Sequence, residues 1–356
     1  MSLVVPLRRA LGRMKPYHPP LEGRAGRLRL DFNENTAGPS PAVRRALARL
    51  TPEQISCYPE YQAAERRLAR HFGVRPDQFI ATNGTDDALR LIVDAFAEAA
   101  SEVLVVEPTF AMYRFYAELA GARVLAVRYD RRLRFPLEQV LATLRLRRPR
   151  LFFLSNPNNP TGGLVGSADL GRILRAARRT LVVVDEAYFE FAGVTALPWI
   201  GRYPNLVVTR TFSKNAGLAG LRLGCLFSNP EMVLALQCVR SPYAVNAAAL
   251  AAALAAVRDK SALSRYARQV VRARGELERA LRRLGIVQFP SAANFVLVNL
   301  GARAPEILAR LRRRGILLRN RQNDFGEVGW VRITVGTPAQ TRLLIRALEK
   351  LWPGAR

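Results

Sequence analysis

The sequence predicts an α/β fold, in which a large domain holds a mainly parallel seven-stranded sheet between helices and a smaller α+β domain follows. Seven short apolar runs recur between residues 79 and 227, and helical patterns separate them. The pattern then changes near residue 241, where a long helical stretch precedes three further strand-like runs. Such alternation of strands and helices is typical of a parallel sheet that is covered on both faces.

The seven runs are continuously apolar rather than alternating in polarity, as expected for strands buried on both faces. They lie at 79–82, 103–106, 124–127, 151–154, 181–184, 206–209 and 223–227. After them we expect a long helical stretch over 246–284 and strands at 294–298, 315–319 and 331–334. The predicted division is an N-terminal segment (1–50) that packs with the small domain, a large domain (51–245) and a small C-terminal domain (246–356).

Composition excludes several classes of function. The net charge is +27, but the arginines are scattered along helices without interleaved aromatic residues, so no specific nucleic-acid partner is predicted. No stretch approaches the roughly 20 apolar residues of a membrane span, and the N-terminus lacks the order of a signal peptide. We therefore expect a cytoplasmic protein without a membrane partner. Three cysteines and two histidines lack the spacing of a metal site or a disulfide framework.

Lysine occurs at only four positions, and one of them, Lys214, follows the apolar run 206–209 in a loop with Thr211 and Ser213. Arginine cannot replace lysine in imine chemistry, because its guanidinium stays protonated. The hydroxyls of Thr211 and Ser213, with Arg222 eight positions after the lysine, are suitable donors for a phosphate. This combination indicates a pyridoxal 5'-phosphate (PLP) site with Lys214 as the Schiff-base residue.

Two further motifs follow apolar runs. Asp185 directly follows the run 181–184 and is therefore expected to be buried. A buried acid needs a cationic partner, which a protonated pyridine nitrogen would supply. An arginine partner or a Mg²⁺ site are the alternatives, although the chain lacks a Gly-Lys-Ser/Thr phosphate loop. The rigid turn 155–163 holds three asparagines, and Asn159 can donate to a phenolate oxygen, which Tyr188 could also reach.

Another candidate site begins at residue 83, where Asn-Gly-Thr-Asp-Asp-Ala-Leu follows a strand and opens a helix. The N-terminus of a helix offers free N–H groups to a phosphate, although the same residues are also typical of an ordinary N-cap. We expect the side chain of Asp86 to cap the helix rather than face the anion. After the run 103–106, Phe110 is a candidate for stacking on a flat ring, or else a core residue.

Together these motifs resemble the fold-type I PLP aminotransferases over nearly the whole chain. The similarity is greatest to the histidinol-phosphate aminotransferase group. The matching segments are 83–88 (Asn-Gly-Thr-Asp-Asp-Ala), 155–162 (Ser-Asn-Pro-Asn-Asn-Pro-Thr-Gly), 185–188 (Asp-Glu-Ala-Tyr), 211–214 (Thr-Phe-Ser-Lys) and 217–224 (Gly-Leu-Ala-Gly-Leu-Arg-Leu-Gly), with 16–17, 30–35, 58–61 and 331–336 for the group.

The resemblance implies a role for each matching position. By this resemblance, Lys214, Asp185 and Tyr188 would be catalytic, and Asp185 would pair with the pyridine nitrogen of the cofactor. Tyr58 would reach the phosphate of the neighbouring subunit's cofactor, which implies a homodimer with shared sites. The complete set of implied cofactor contacts is Tyr58, Thr85, Asp86, Phe110, Asn159, Asp185, Tyr188, Thr211, Ser213, Lys214 and Arg222.

The resemblance also implies how the amino-acid and 2-oxo-acid substrates bind. Arg332 would clamp the α-carboxylate of an amino acid, Arg319 would bind the phosphate of the substrate, and Tyr17 and Asn33 would line the pocket. The implied reaction converts histidinol phosphate and 2-oxoglutarate to imidazole-acetol phosphate and glutamate. An aromatic or broad-specificity aminotransferase, a threonine-phosphate decarboxylase, and a regulatory or nucleic-acid-binding relative without PLP are the alternatives.

Overall fold

A computed structural model of the protein describes residues 5–16 and 18–352, which form two β-sheets and the helices that cover them. The strands are β1 Leu28–Leu30, β2 Phe79–Thr82, β3 Glu102–Glu107, β4 Arg123–Arg128, β5 Leu151–Ser155, β6 Leu181–Asp185, β7 Leu206–Thr211, β8 Gly224–Phe227, β9 Val287–Phe289, β10 Phe295–Asn299, β11 Ile316–Asn320 and β12 Trp330–Thr334.

The helices cover both faces of the larger sheet and one side of the smaller one. They are α1 Pro41–Ala48, α2 Pro52–Ser56, α3 Tyr61–Phe72, α4 Gly84–Phe96, α5 Ala111–Leu119, α6 Leu137–Leu146, α7 Ser167–Ala176, α8 Phe189–Ala192, α9 Pro230–Gln237, α10 Ala247–Arg258, α11 Lys260–Arg283, α12 Ala304–Arg313, α13 Gln322–Phe325 and α14 Pro338–Leu351. Among the described residues, no helix combines the length and the apolar character needed to cross a bilayer.

The larger sheet has seven strands in the order β2-β8-β7-β6-β5-β3-β4, and its central strands are parallel. Only the pairs made by β8 are antiparallel within this sheet. The predicted α/β class and the mainly parallel seven-stranded sheet are therefore confirmed. Every residue of β5, β6 and β7 is buried, which explains why their sequences are apolar without alternation. Their carboxyl ends bring Ser155, Asp185 and Thr211 to one edge of the sheet.

The smaller sheet has five strands in the order β1-β11-β12-β10-β9. Three of them were predicted, whereas β1 and β9 were not, because each contributes only three residues and shows no apolar run. Strand β1 pairs in parallel with β11, so residues 28–30 belong to the smaller sheet. On the antiparallel pair of β11 and β12, Arg319 lies directly opposite Arg332.

The helical stretch expected over 246–284 consists of two helices, α10 and α11. The chain breaks at Asp259, whose side chain accepts a hydrogen bond from the backbone N–H of Ala262 and caps α11. Helix α10 packs in the same apolar cluster as strands of the larger sheet, whereas the buried face of α11 packs with the smaller one. The predicted domain boundaries stay a proposal, with α10 on the side of the larger sheet.

Candidate active site

A cavity of about 490 Å³ opens at the carboxyl ends of β5, β6 and β7, where the two sheets face each other. The structure brings thirteen of the fifteen predicted site residues to its wall. They are Asn33, Thr85, Asp86, Phe110, Asn159, Asp185, Tyr188, Thr211, Ser213, Lys214, Arg222, Arg319 and Arg332. Residues far apart in the chain therefore meet in one place, as the carboxyl-end rule for such sheets requires.

Lys214 lies in the middle of this wall and donates a hydrogen bond from Nζ to the carbonyl oxygen of Phe32, at 3.0 Å. Burial and the positive charge of nearby Arg332 lower the pKa of Lys214 to about 8, although Glu34 opposes the shift. A lowered pKa gives a larger fraction of neutral amine near neutral pH, and the neutral amine is the nucleophile.

Asp185 ends β6 and is only 4 % exposed. Its carboxylate accepts hydrogen bonds from the hydroxyls of Tyr113, at 2.7 Å, and Thr209, at 3.1 Å. Burial raises the pKa of Asp185 to about 6, because these two neutral donors only partly replace water. Within residues 5–16 and 18–352, no Lys, Arg or His forms an ion pair with this carboxylate, so the arginine-paired alternative does not hold.

The turn 155–163 uses its three asparagines differently. Asn156 exchanges two hydrogen bonds with the backbone of Val165, and Asn158 bonds to the 107–110 loop at Thr109. Only Asn159 reaches the cavity, where its Oδ1 accepts a hydrogen bond from the guanidinium of Arg332. Its N–H groups are therefore what Asn159 offers a ligand. Asn159, the asparagine that the sequence singled out, is thus the one that lines the cavity, and the other two hold the turn in place.

Tyr188 is buried beside the cavity, and its hydroxyl oxygen accepts a hydrogen bond from the side chain of Asn33 at 2.9 Å. Its O–H is therefore left to donate to a ligand. Asn33 itself has a left-handed backbone (φ 58°) and exchanges hydrogen bonds with the side chain of Thr334. Asn33 thus holds the hydroxyl of Tyr188, which follows β6 of the larger sheet, while Asn33 itself is hydrogen-bonded to β12 of the smaller sheet.

The start of α4 faces Arg222 across a narrow gap. Gly84 has φ +76°, and a Cβ on it would lie 2.6 Å from the guanidinium of Arg222. A Cβ on Gly224 would lie 2.6 Å from the backbone nitrogen of Thr85. Both positions therefore require glycine, and the free N–H groups of the helix N-terminus stay open to an anion.

The expected cap by Asp86 is wrong. The carboxylate of Asp86 instead pairs with Arg222 at 3.2 Å, and Asp87 accepts the hydrogen bond from the backbone N–H of Asn83 at 3.0 Å. Burial raises the pKa of Asp86, while the charges of Arg222 and Lys214 oppose the shift. The N-cap of α4 is Asn83, whose side chain makes no capping hydrogen bond, and Asp87 lies four residues later in the first turn.

Arg332 is 5 % exposed and forms the opposite end of the cavity. One terminal nitrogen donates to Asn159 and the other to the carbonyl oxygen of Asp31, at 2.7 Å. Its Nε is buried without a partner in the described parts of the chain, and burial, helped by the charge of Arg321, lowers its pKa to about 9. A buried guanidinium that lacks an acid is a strong site for an anion. Arg319, opposite it on β11, stacks over Phe32 at 5.1 Å.

Two predicted residues lie outside this set. Tyr58 is 74 % exposed and stacks on Tyr243, with ring centroids 4.1 Å apart, and it does not line the cavity of its own chain. Its predicted contact with a second subunit stays a prediction. Tyr17 lies outside the described residues.

The cavity wall also contains residues that the sequence did not single out. Phe32 and Glu34 flank Asn33, while Arg321 and Asp324 follow β11 in the segment 320–329, for which no motif was recognised. Tyr113 was missed as well, since a tyrosine inside a helix carries no local sign of the acid it will meet. The four residues between Leu30 and Asn35 belong to a segment that matches the family, but only Asn33 was assigned a role from it.

The sequence model of the family "Aminotransferase class I and II" matches residues 26–348. The chain belongs to this family. The family and the fold that the motifs predicted are thereby confirmed, and the cavity described above lies within the matched part of the aminotransferase chain.

Individual relatives agree with the family assignment. A histidinol-phosphate aminotransferase of Symbiobacterium thermophilum is 41 % identical over 96 % of this chain and 98 % of its own. The crystal structure of histidinol-phosphate aminotransferase from Sinorhizobium meliloti in complex with pyridoxal-5'-phosphate superposes with a TM-score of 0.89, at 27 % identity and with all of both chains covered. The L-threonine-O-3-phosphate decarboxylase from Porphyromonas gingivalis superposes with a TM-score of 0.81, at 28 % identity over 91 % of this chain and 99 % of that one.

Proposed function

We propose that this aminotransferase uses PLP and converts histidinol phosphate and 2-oxoglutarate to imidazole-acetol phosphate and glutamate. The observation that carries the proposal is one cavity with an amine of lowered pKa, a buried acid without a cation, and two cross-strand arginines. The similarity to histidinol-phosphate aminotransferases over almost the full length supports the same substrate.

The residues present fit PLP at both of its polar ends. Asp185 supplies the carboxylate that a protonated pyridine nitrogen needs. This carboxylate has no cationic partner among the described residues, and the pyridine nitrogen would provide one. At the other end, the N–H groups of Thr85 and Asp86 and the side chains of Thr211, Ser213 and Arg222 surround a gap that glycine keeps open.

When bound, PLP supplies an aldehyde that condenses with amines and a ring that withdraws electrons from the substrate carbon. Lys214 Nζ is the group that attaches the cofactor and later holds the proton that moves along the substrate. Asn159 and Tyr188, which line the cavity, would donate to the ring oxygen, and Phe110 would stack on the ring face. Asn33 orients the Tyr188 hydroxyl for that hydrogen bond.

Arg332 and Arg319 bind the anionic group that both substrates carry next to the reacting carbon. Histidinol phosphate has a phosphate there and glutamate an α-carboxylate, and both suit the planar donors of arginine. The two guanidinium groups face the same cavity from neighbouring strands, so a phosphate with three acceptor oxygens can use both.

We further propose that the protein is a cytoplasmic homodimer with shared sites. Tyr58 and Tyr243 form an exposed aromatic pair, which supports a contact with a second copy. In that assembly the Tyr58 hydroxyl donates to the cofactor phosphate of the partner. Sedimentation of the holoenzyme tests the assembly, and a monomer at micromolar concentration contradicts it.

A panel of amino donors tests the reaction. The holoenzyme is mixed in turn with histidinol phosphate, phosphothreonine, phenylalanine and glutamate, and loss of the near-visible absorbance of bound PLP is followed. We expect histidinol phosphate to react fastest and Arg319→Ala to slow it selectively. Equal loss for phenylalanine in Arg319→Ala would refute the phosphate assignment.

Phosphothreonine distinguishes the second candidate, which the similarity to the threonine-phosphate decarboxylase favours. Release of CO₂ from phosphothreonine, with no 2-oxo acid present, would replace the proposed transamination by decarboxylation. A matched control is Arg314→Ala, since Arg314 follows α12 and is not part of the cavity wall.

A further inference from the structure

An ion pair between Arg321 and Asp324 forms part of the cavity wall that the smaller sheet contributes. The two side chains are 10 % and 23 % exposed, so they are largely shielded from solvent but open to the cavity. Burial raises the pKa of Asp324, while the charges of Arg321, Arg332 and Arg319 oppose the shift. The pair therefore lies within electrostatic reach of the two arginines at the anion end.

The backbone around the pair is held firmly. The N–H of Arg321 donates to the carbonyl oxygen of Trp330 at 2.8 Å, and the N–H of Asp324 donates to the carbonyl oxygen of Arg321 at 3.0 Å. Phe325 stacks on Trp330 with ring centroids 4.0 Å apart. The pair thus presents a donor and an acceptor at fixed positions, which is the requirement for a binding subsite.

The proposed reaction poses a recognition problem, because one cavity must accept two different amino donors in turn. Histidinol phosphate and glutamate share the amine and the neighbouring anionic group. Their third substituent differs: the former has an imidazole, which donates an N–H bond, and the latter has a carboxylate, which only accepts. A single fixed arginine or a single fixed acid would reject one of the two substrates.

We propose that Arg321 and Asp324 form the subsite for this third substituent. This inference rests on the proposed function. The Asp324 carboxylate accepts a hydrogen bond from the imidazole N–H of histidinol phosphate, and the Arg321 guanidinium donates to the γ-carboxylate of glutamate. The two side chains pair with each other. Arg321 therefore stays paired with Asp324 when histidinol phosphate is bound, and Asp324 stays paired with Arg321 when glutamate is bound.

The other acids of the cavity are less suited to this role. Glu34 is bound by Arg24 at 2.6 Å, and Asp86 is bound by Arg222 at the opposite, phosphate-binding end. Asp185 is buried below the ring position and accepts from two hydroxyls. Asp324 is the remaining carboxylate in the cavity wall, and it lies on the side of the substrate arginines.

Single-turnover kinetics of the holoenzyme test the subsite with both amino donors. We expect Asp324→Asn to lower kcat/KM for histidinol phosphate by about 10- to 100-fold, since one charged hydrogen bond is lost. The kcat/KM for glutamate should stay within a few-fold of the wild-type value. Arg321→Gln should do the reverse. The matched controls are Glu306→Gln and Arg310→Gln, which alter an exposed ion pair on α12 at 2.9 Å and should change neither substrate.

If the pair had only a structural role, kcat/KM would fall equally for both amino donors and the melting temperature would be lower. That result would overturn the proposed subsite. If either single variant does not fold, the double variant Arg321→Gln/Asp324→Asn removes both charges at once. The double variant should lose activity with both amino donors while the absorbance of its bound PLP is unchanged. Full activity with both donors overturns the inference. A wild type that does not react with histidinol phosphate overturns the proposed function, and the subsite with it, whereas unselective variants of an active wild type overturn the subsite alone.

Discussion

Replacing Tyr113 by phenylalanine isolates the contribution of one hydroxyl to the acid that would hold the cofactor. The variant keeps the ring, which stacks on Phe153 with centroids 5.1 Å apart, and removes the donor that lies 2.7 Å from the Asp185 carboxylate. A hydrogen bond to a charged group contributes about 1.5–3 kcal/mol. Since about 1.4 kcal/mol corresponds to one pKa unit, the pKa of Asp185 should rise by about one to two from its value of about 6.

The consequence is a loss of PLP affinity that depends on pH. Asp185 must be ionised to pair with the pyridine nitrogen, and its raised pKa means that the ionised form is lost as pH falls. At pH 6.5 the ionised fraction, and with it the affinity of the apoprotein for PLP, should fall by roughly 3- to 25-fold relative to the wild type. At pH 9 both proteins are ionised, and their affinities should differ little.

The assay is a fluorescence or absorbance titration of apoprotein with PLP at several pH values, expressed as the ratio of wild type to variant. The ratio cancels the titration of the cofactor itself. Tyr266→Phe is the control, because Tyr266 is also buried but lies on α11 in the cluster of the smaller sheet. A ratio that is constant between pH 6.5 and 9, or equal to one throughout, would refute the link between Tyr113 and the charge of Asp185.

Two further predictions concern the lysine and the buried pair beside Asp185. The rate at which apoprotein attaches PLP should rise as pH rises through about 8, the lowered pKa of Lys214, since only the neutral amine reacts; a rise centred above pH 10 in stopped-flow absorbance contradicts the lowered pKa. Arg210→Met should destabilise the fold by about 3–5 kcal/mol in urea denaturation, because Glu186, 1 % exposed, loses the guanidinium 2.8 Å away. Adding Glu186→Gln, which removes the charge but keeps an acceptor for the Thr195 hydroxyl and the Ala196 N–H, should restore part of that loss, and a double variant as unstable as the single one contradicts this account.

The sequence was sufficient for the larger sheet because its central strands β5 and β6 are buried along their whole length and therefore begin with continuous apolar runs. It also indicated that Lys214, Asp185 and Asn159 would meet at the cavity, because Asp185 ends β6 and the other two lie in the loops that follow β7 and β5. It failed at Asp86, whose carboxylate pairs with Arg222 while that of Asp87 accepts the N–H of Asn83. It also missed the break at Asp259, since an aspartate inside a helical pattern is neutral until its side chain finds a free N–H.

The substrate end of the cavity was harder to predict. Arg319 and Arg332 were found through the family resemblance, but Arg321 and Asp324 were not, although they line the same wall. In a chain with 55 lysines and arginines, one more arginine carries little information. What distinguishes Arg321 is the direction that β11 and α13 impose on it, and that direction depends on pairing with a strand 10 residues further along the chain.

The hydrogen bonds of Asn33 make it a mechanical link between the two halves of the cavity. Its backbone carbonyl accepts from Asn294, its side chain bonds to Thr334, and both partners belong to the smaller sheet unit, whereas its amide N–H reaches Tyr188. Asn33 therefore ties the Tyr188 hydroxyl to β12 and to the residue before β10, which lie far from Tyr188 in the chain. In this way the smaller sheet, which supplies Arg319 and Arg332 to the substrate end of the cavity, also orients the hydroxyl that Tyr188 offers to a ligand.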